Sequence, residues 1–500
     1  MVHLFNSCIS LNKIPDAFKH AECIPLHKKG SMVDVNNYRG ISILPPIAKL
    51  FEKLIAQQIR SYFEKNKLFF AGQHGFRKHF SCESALHELL SDLNKNQEKK
   101  LISILLFIDY RKAFDLISLK LLIRKLFHYG FNNDALDLVK CYFTNRKQHI
   151  KIQDILSDEV DIDLGVPQGS VLGPLFFLIF INDLPFIMEL LAKLFADDTT
   201  FYKAGKDINQ LISTFVKDLE PLLLWCRMNK LDINFKKTYF MIVTRHRVSL
   251  PKSILVNGIE IEVVDRFKLL GVTLDSKLIF SSYVSSICGR VNGILYSIKR
   301  LFYLPLSTKV QFFKTFILPL FDYCLTLSIY YEKYLITKLS NCYYTTMSRL
   351  FGANKSDSFN FYNKSHDELQ SFLSQYNLCS FTHRLFIRLD LFIYQIINSS
   401  TPPILNECMI VDTSDNIANR LKSRRKKLNY EPHFTTGFGY KTFDFFSSIF
   451  YNNFLLSKRH ISLFSFKSDL YKNLGIYHHL FLNIFPKFNI PYLLKKFIKI

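Results

Sequence analysis

Acidic residues are scarce in this sequence: 42 Asp and Glu stand against 65 Lys and Arg, leaving a net charge of +23. So large a surplus points to a polyanionic partner. With neither a lipidation motif nor an amphipathic anchor, the expected partner is nucleic acid rather than a membrane surface. Cysteine patterning is missing too. The ten cysteines form no C-x-x-C and no paired Cys-His spacing, which speaks against a zinc site and a secreted disulfide framework and predicts reduced thiols in an intracellular protein. Long apolar runs are also lacking: Val171 to Leu184 is broken by Pro174, Asn182 and Asp183, and Phe312 to Tyr331 by Lys314, Pro319 and Asp322. Neither reaches the ~18 uninterrupted apolar residues of a membrane span, and the N-terminus has no signal-peptide pattern. The expectation is a soluble chain.

What is present is ample material for a core. Of 500 residues, 48% are hydrophobic and 21% charged, the balance of a globular protein of two to four domains. Residues 22–43 read as a hairpin around a turn containing Lys28 and Lys29. Ile47, Leu50, Phe51, Leu54, Ile55 and Ile59 recur at helical spacing. Leu101 to Ile108 is a continuous apolar run, read as a fully buried strand. Ser118 is placed to cap a helix that Gly130 ends. Gln148 to Ile152 and Glu159 to Leu164 read as paired strands, and Asn257-Gly258 marks a tight hairpin. From about residue 280 the pattern turns helical. The fold class is therefore α+β followed by α-rich regions, with no internal repeat.

Three features converge on one chemistry. The buried run ends on Asp109, and a loop rich in glycine and proline spans Gly165 to Pro174. Asp197-Asp198 sits between an apolar segment and a β-prone one, as the turn of a hairpin. An Asp-Asp pair alone is most often a solvated turn. A buried strand ending on Asp, a glycine loop and an Asp-Asp hairpin together suggest a metal-dependent phosphoryl-transfer site. Phosphoryl transfer to a hydroxyl requires deprotonating that hydroxyl, aligning it with the phosphate and neutralising the departing group. Two Mg²⁺ ions roughly 3.5–4 Å apart meet these needs, and two or three aspartates suffice to hold them.

These blocks, with Asn37 to Ser42, Gln73 to Arg77, Lys112 to Asp115, Ile181 to Leu184, Asn234 to Thr238 and Leu270 to Asp275, resemble the reverse transcriptases of jockey-like non-LTR retrotransposons. They occur in that family's order over roughly residues 10 to 280. The family usually has Pro where this chain has Gly40, and often His where it has Ser118. The resemblance implies a right-hand polymerase with palm and fingers over residues 1–280, a thumb-like helical region over 281–340 and an α-rich C-terminal region over 341–500. It implies RNA template, DNA primer and dNTPs as partners and two Mg²⁺ ions as cofactor, with Mn²⁺ a substitute.

Site roles carry over by position. Asp109 and Asp197 are expected to bridge both ions, with Asp198 as a third ligand. Phe114 matches the residue beneath the sugar of the incoming nucleotide, where a ring excludes a 2′-hydroxyl. Gln168 and Gly169 match the loop at the templating base. Arg39 and one of Lys28 or Lys29 would hold the triphosphate, and Lys237 would donate a proton to the pyrophosphate. Gln73 and Arg77 are expected at the template, and Leu270 and Gly271 at the primer end. The basic run containing Arg424, Arg425, Lys426 and Lys427 is read as a weak phosphate-binding or nuclear-import segment, which makes the nucleus the expected location.

About ten residues precede the first matching block, so an endonuclease domain is expected to be absent from this chain. Two readings stay open at this level: an active RNA-directed DNA polymerase, or a decayed or repurposed nucleic-acid-binding protein that keeps the fold.

Overall fold

The computed structural model describes residues 1–246, 248–299, 303–351, 366–407 and 441–450, with a few positions between 462 and 470. Two compact units divide the chain. The first takes Met1–Lys78, Ile104–Phe240 and Leu250–Val263; the second takes His79–Ser103, Met241–Ser249 and the described residues from Val264 onward.

Two sheets lie wholly or mainly in the first unit. One contains β1 (His20–His27), β2 (Tyr38–Ile43), β4 (Lys147–Ile152), β5 (Ile155–Leu156) and β6 (Val160–Asp161), in the order β2-β1-β4-β5 with β6 also paired to β4. β1 and β2 form the expected antiparallel hairpin, Leu26 opposite Arg39 and Cys23 opposite Ser42. β4 lies parallel to β1, a pairing that strand periodicity does not reveal. The other sheet runs β7-β8-β3-β9, with β3 at Ile102–Ile108, β7 at Leu191–Phe195, β8 at Asp198–Gly205 and β9 at Tyr239–Val243. All seven residues of β3 are buried. A strand apolar on both faces has to be interior to its sheet, and β3 lies between β8 and β9.

Helices pack against these strands. Pro46–Lys65 realises the expected helical spacing. Leu172–Ile181 is apolar all round and buried along its length, which makes it a central rather than a surface helix. Asn182 fixes its end: its amide donates to the Leu68 carbonyl and the Tyr129 hydroxyl, and its oxygen accepts from the Phe70 amide, each at 2.8 Å. The next residue, Asp183, takes Lys125 at 2.7 Å and the Trp225 indole at 3.1 Å. The Asn182-Asp183 dipeptide thus ties three segments to one helix end.

Some expectations shift. Ser118 occupies the cap position of the helix Leu119–His128, but its side chain makes no capping bond. The strand expected over Glu159 to Leu164 is ladder-paired only at Val160 and Asp161. Beyond it the chain leaves the sheet, because Gly165 (φ +79°) and Val166 donate instead to the carbonyls of Ile117 and Phe114. The Asn257-Gly258 turn has both residues at positive φ, as its hairpin, β10 (Ser253–Val256) with β11 (Ile259–Glu262), requires.

The second unit contains the hairpin β12 (Arg266–Leu269) with β13 (Val272–Asp275), and helices that include Cys82–Glu98, Ser281–Ser297, Lys333–Phe351 and Phe381–Ser399. Leu306–Leu327 is not one regular helix. A π-turn at Phe313–Ile317 precedes Pro319, which has no N–H to give a regular helix, and Cys324 turns to φ +54°. No described helix is long and apolar enough to cross a membrane, and the cysteines of the described residues are free thiols.

Replacing Asn182 by Leu takes the partner from one N–H, one carbonyl and one hydroxyl, all on half-buried residues. Chemical denaturation should show a loss of about 3 kcal/mol, most of it desolvation of the abandoned groups.

Candidate active site

The Asp-Asp pair lies where the hairpin β7–β8 reverses. Phe195 pairs with Asp198, so the turn itself is Ala196-Asp197, with the positive φ (+58°) on Ala196. Asp197 is therefore a turn residue and Asp198 the first residue of β8. Adjacent positions of this kind project differently, which gives the two carboxylates unequal surroundings.

Asp109 continues directly from β3. Its backbone carbonyl accepts from the Asn234 amide at 2.8 Å, and its Oδ2 accepts from the Asn234 side chain at 3.0 Å. Lys237, three residues on, places Nζ 3.8 Å from the same oxygen. The segment 232–237 thus lies alongside Asp109 and holds one edge of its carboxylate. Asn234 stood within a recognised sequence block, but its task as the partner of Asp109 becomes visible only in three dimensions.

The charges of these groups act on one another. Burial raises Asp197 above the ordinary carboxylate range and the Asp109 charge adds to the rise, while its own backbone amide, Arg39 and Lys28 pull the other way. Burial, then the charges of Asp197 and Asp109, push Asp198 up to about 6. Arg39 on β2 and Lys28 just beyond β1 thus supply positive charge to the same place, while Lys29 is exposed in the turn. Among the described residues no three Asp, Glu, His or Cys side chains close round a single ion unaided. The donor set is all carboxylate oxygen, the chemistry that suits a hard divalent cation whose other ligands are water and phosphate.

The glycine loop is held by backbone contacts that leave no room for side chains. A Cβ on Gly165 would sit 2.6 Å from the Asp115 carbonyl, and one on Gly169 (φ +123°) 2.4 Å from the Ser42 carbonyl. Ser42 donates its amide to the Gln168 carbonyl at 2.7 Å, and Gln168 donates its side chain to Asp115 at 2.6 Å. The loop is thereby fastened to β2 on one side and to the residues after Asp109 on the other. Phe114 is half-buried and stacks on Phe177, centroids 4.4 Å apart. Beneath the loop lies Glu52, 2% exposed, which accepts from the Val171 amide at 2.6 Å and the Tyr142 hydroxyl at 2.8 Å. Its signal was readable: Glu52 falls in the otherwise apolar stripe of Ala48, Ala56, Ile59 and Phe63.

Two residues expected at the template have another task. Gln73 is 2% exposed, and its Oε1 accepts from the amides of Gly75 and Ala196. The Arg77 side chain is 5% exposed and spends its guanidinium on both Glu64 oxygens and on the Phe70 and Gln73 carbonyls. Leu270 and Gly271 belong to the second unit, where both take positive φ in the β12–β13 turn and the Tyr323 hydroxyl donates to the Leu270 carbonyl at 2.6 Å. Arg424, Arg425, Lys426 and Lys427 lie outside the described residues.

Residues 26–274 match the family described as reverse transcriptase (RNA-dependent DNA polymerase). That segment is a reverse transcriptase domain, and the chain is similar to the polymerases of jockey-like elements. It is 28% identical over 374 residues to the RNA-directed DNA polymerase from mobile element jockey of Drosophila melanogaster, covering 70% of this chain and 39% of that protein. It is 29% identical over 340 residues to the probable RNA-directed DNA polymerase from transposon X-element of the same fly, covering 64% and 36%. The chain thus spans less than half the length of these relatives. Telomerase from Candida Tropicalis aligns at 10% identity with a TM-score of 0.40, over 78% of this chain and 68% of that one. All three aspartates, Arg39, Phe114, Gln168 and Lys237 fall inside the matched domain.

The raised Asp198 makes a prediction about the domain without metal. A carboxyl that binds its proton more tightly folded than unfolded destabilises the fold at pH values where it must ionise. Asp198→Asn in chelator should therefore raise the melting temperature at pH 7, and the gain should fade as pH falls from about 6 towards about 4. Asp198 keeps part of its surface in solvent although its carboxyl is partly desolvated, and screening holds the gain to about 1 kcal/mol. Calorimetry across that pH range measures it.

Proposed function

We propose that this chain is an RNA-directed DNA polymerase that extends a DNA primer on an RNA template. The observation that carries this reading is the cluster of Asp109, Asp197 and Asp198 inside the matched domain, where the Asp109 charge adds to the raised proton affinity of Asp197 and of Asp198. On this reading the sheet of β1, β2, β4, β5 and β6 serves as fingers and that of β3, β7, β8 and β9 as palm. Residues 281–340 act as the thumb and 341–500 as a C-terminal region. The net charge of +23 suits a protein that grips template and primer through their phosphates.

Asp109, Asp197 and Asp198 would hold two Mg²⁺ ions, with Mn²⁺ a substitute; when bound, these supply the positive charge that activates the primer hydroxyl and neutralises the departing pyrophosphate. The remaining work belongs to the chain's own groups. Arg39, whose planar fork matches a phosphate edge, and Lys28 would bind the triphosphate from the β1–β2 hairpin. Lys237, held 3.8 Å from Asp109, would exchange that carboxylate for the pyrophosphate and give it a proton. The loop at Gln168-Gly169 would bring backbone within reach of the paired bases, a close approach that glycine permits. Phe114, steadied by Phe177, would close the space a 2′-hydroxyl needs, and Leu270-Gly271 would support the primer end.

Asp109→Asn and Asp197→Asn should each lower primer extension by about 10³-fold or more while RNA affinity stays near that of the parent protein. Extension within tenfold of the parent would sink the assignment. If the parent protein binds RNA but extends nothing under any divalent cation, the chain is a nucleic-acid-binding relative instead. Replacing Phe114 by Val should raise the ratio of kcat/KM for ribonucleotides to that for deoxynucleotides, since discrimination is a difference in transition-state binding. An unchanged ratio in an active variant assigns Phe114 to packing alone.

A further inference from the structure

We propose that Gln73 is a positioning residue for Asp197: it fixes the Ala196-Asp197 turn by accepting the Ala196 amide, and so sets where the Asp197 carboxylate stands relative to Asp109. The proposal rests on the polymerase reading above and deepens it.

Gly72 to Gly75 run along the free side of β7 as a short parallel bridge. Leu194 donates its amide to the Gly72 carbonyl at 2.9 Å, and His74 donates its own to the Leu194 carbonyl at 2.8 Å. At the turn this ladder is continued by a side chain: Gln73 Oε1 receives the Gly75 amide at 2.9 Å and the Ala196 amide at 3.0 Å. The two segments touch so closely that a Cβ on Gly75 would lie 2.3 Å from the Ala196 nitrogen, and one on Gly72 2.8 Å from the Ala192 carbonyl. Gln73 Nε2 is buried and has no hydrogen-bond partner among the described residues. The amide is thus kept for its oxygen alone, although burying the idle N–H group costs free energy. Arg77 locks the clamp from behind through the Phe70 and Gln73 carbonyls.

The turn needs holding. Ala196 is a non-glycine residue at φ +58°, and the carboxylates of Asp197, Asp198 and Asp109 repel one another. Without the Gln73 acceptor the Ala196 amide is buried unpaired, and the turn is free to relax in the direction the repulsion drives it.

Gln73→Met keeps the volume and removes the acceptor. In the metal-free protein, hydrogen exchange at the Ala196 amide should accelerate at least tenfold, and Gln73→Glu, which keeps an oxygen in place, should restore protection. With primer, RNA and Mg²⁺, the Met variant should extend on the order of tenfold to a hundredfold more slowly. Its KM for dNTP and its affinity for the primer–RNA hybrid should stay within twofold of the parent. Unchanged exchange at Ala196 overturns the proposal. So does a Met variant whose loss lies in RNA affinity, which makes Gln73 a template residue. Should the Met variant not fold, the Glu variant decides by the same exchange: protection supports the clamp and its loss overturns it. A parent protein that never extends refutes the polymerase reading alone, and the exchange experiment still decides the role of Gln73.

Discussion

Three carboxylates brought together with too little compensating charge are the constraint around which the domain is built. Asp109 ends a fully buried strand, Asp197 stands in a two-residue turn, and Asp198 opens the next strand. Left to themselves such groups move apart, take up protons or draw in water. Here they stand at the ends of neighbouring strands of one sheet, where β3 and the β7–β8 hairpin cannot separate without breaking the ladder. Arg39 and Lys28 soften the repulsion at Asp197 without cancelling it. On the proposed reading, the residual negative potential would draw a cation and the phosphates that follow it.

A second set of groups keeps this arrangement in register, and they share a character: polar side chains at element ends, buried in the cases of Glu52, Asn182 and Gln73 and half-buried in that of Asn234. Glu52 pins the start of the helix that follows the glycine loop, Asn182 pins its end, Asn234 holds the carboxylate edge of Asp109, and Gln73 holds the turn. Buried polar groups cost free energy unless fully engaged. Their presence at the ends and corners of elements, rather than inside them, shows where the backbone must not move.

Much of this was legible in the sequence, for reasons that can be named. β3 announced itself because a strand covered on both faces has no polar alternation. The Asn257-Gly258 turn did so because two positive φ angles admit few residues. The carboxylate positions followed from where strands end. The enclosure of Gln73 and Arg77 was not legible, because a motif gives residue type and order, whereas burial and partner belong to the fold. Their enclosure depends on Glu64 and on the Ala196 amide, 123 residues from Gln73. Likewise, nothing local signals that β4 lies parallel to β1, and Gly165 ended an expected strand through bonds to a distant loop. Glu52 alone was recoverable, as a charge on an apolar helix face.

The account rests on the carboxylate cluster acting as a cation site, and binding can be measured without catalysis. Electron paramagnetic resonance of Mn²⁺ titrated into the purified protein, with and without a non-hydrolysable dNTP analogue, reads it directly. The parent protein should bind Mn²⁺, more tightly when the analogue's phosphates are present, and Asp197→Asn should lose at least tenfold in affinity in both cases. Equal Mn²⁺ binding by the parent and by Asp197→Asn would contradict the account.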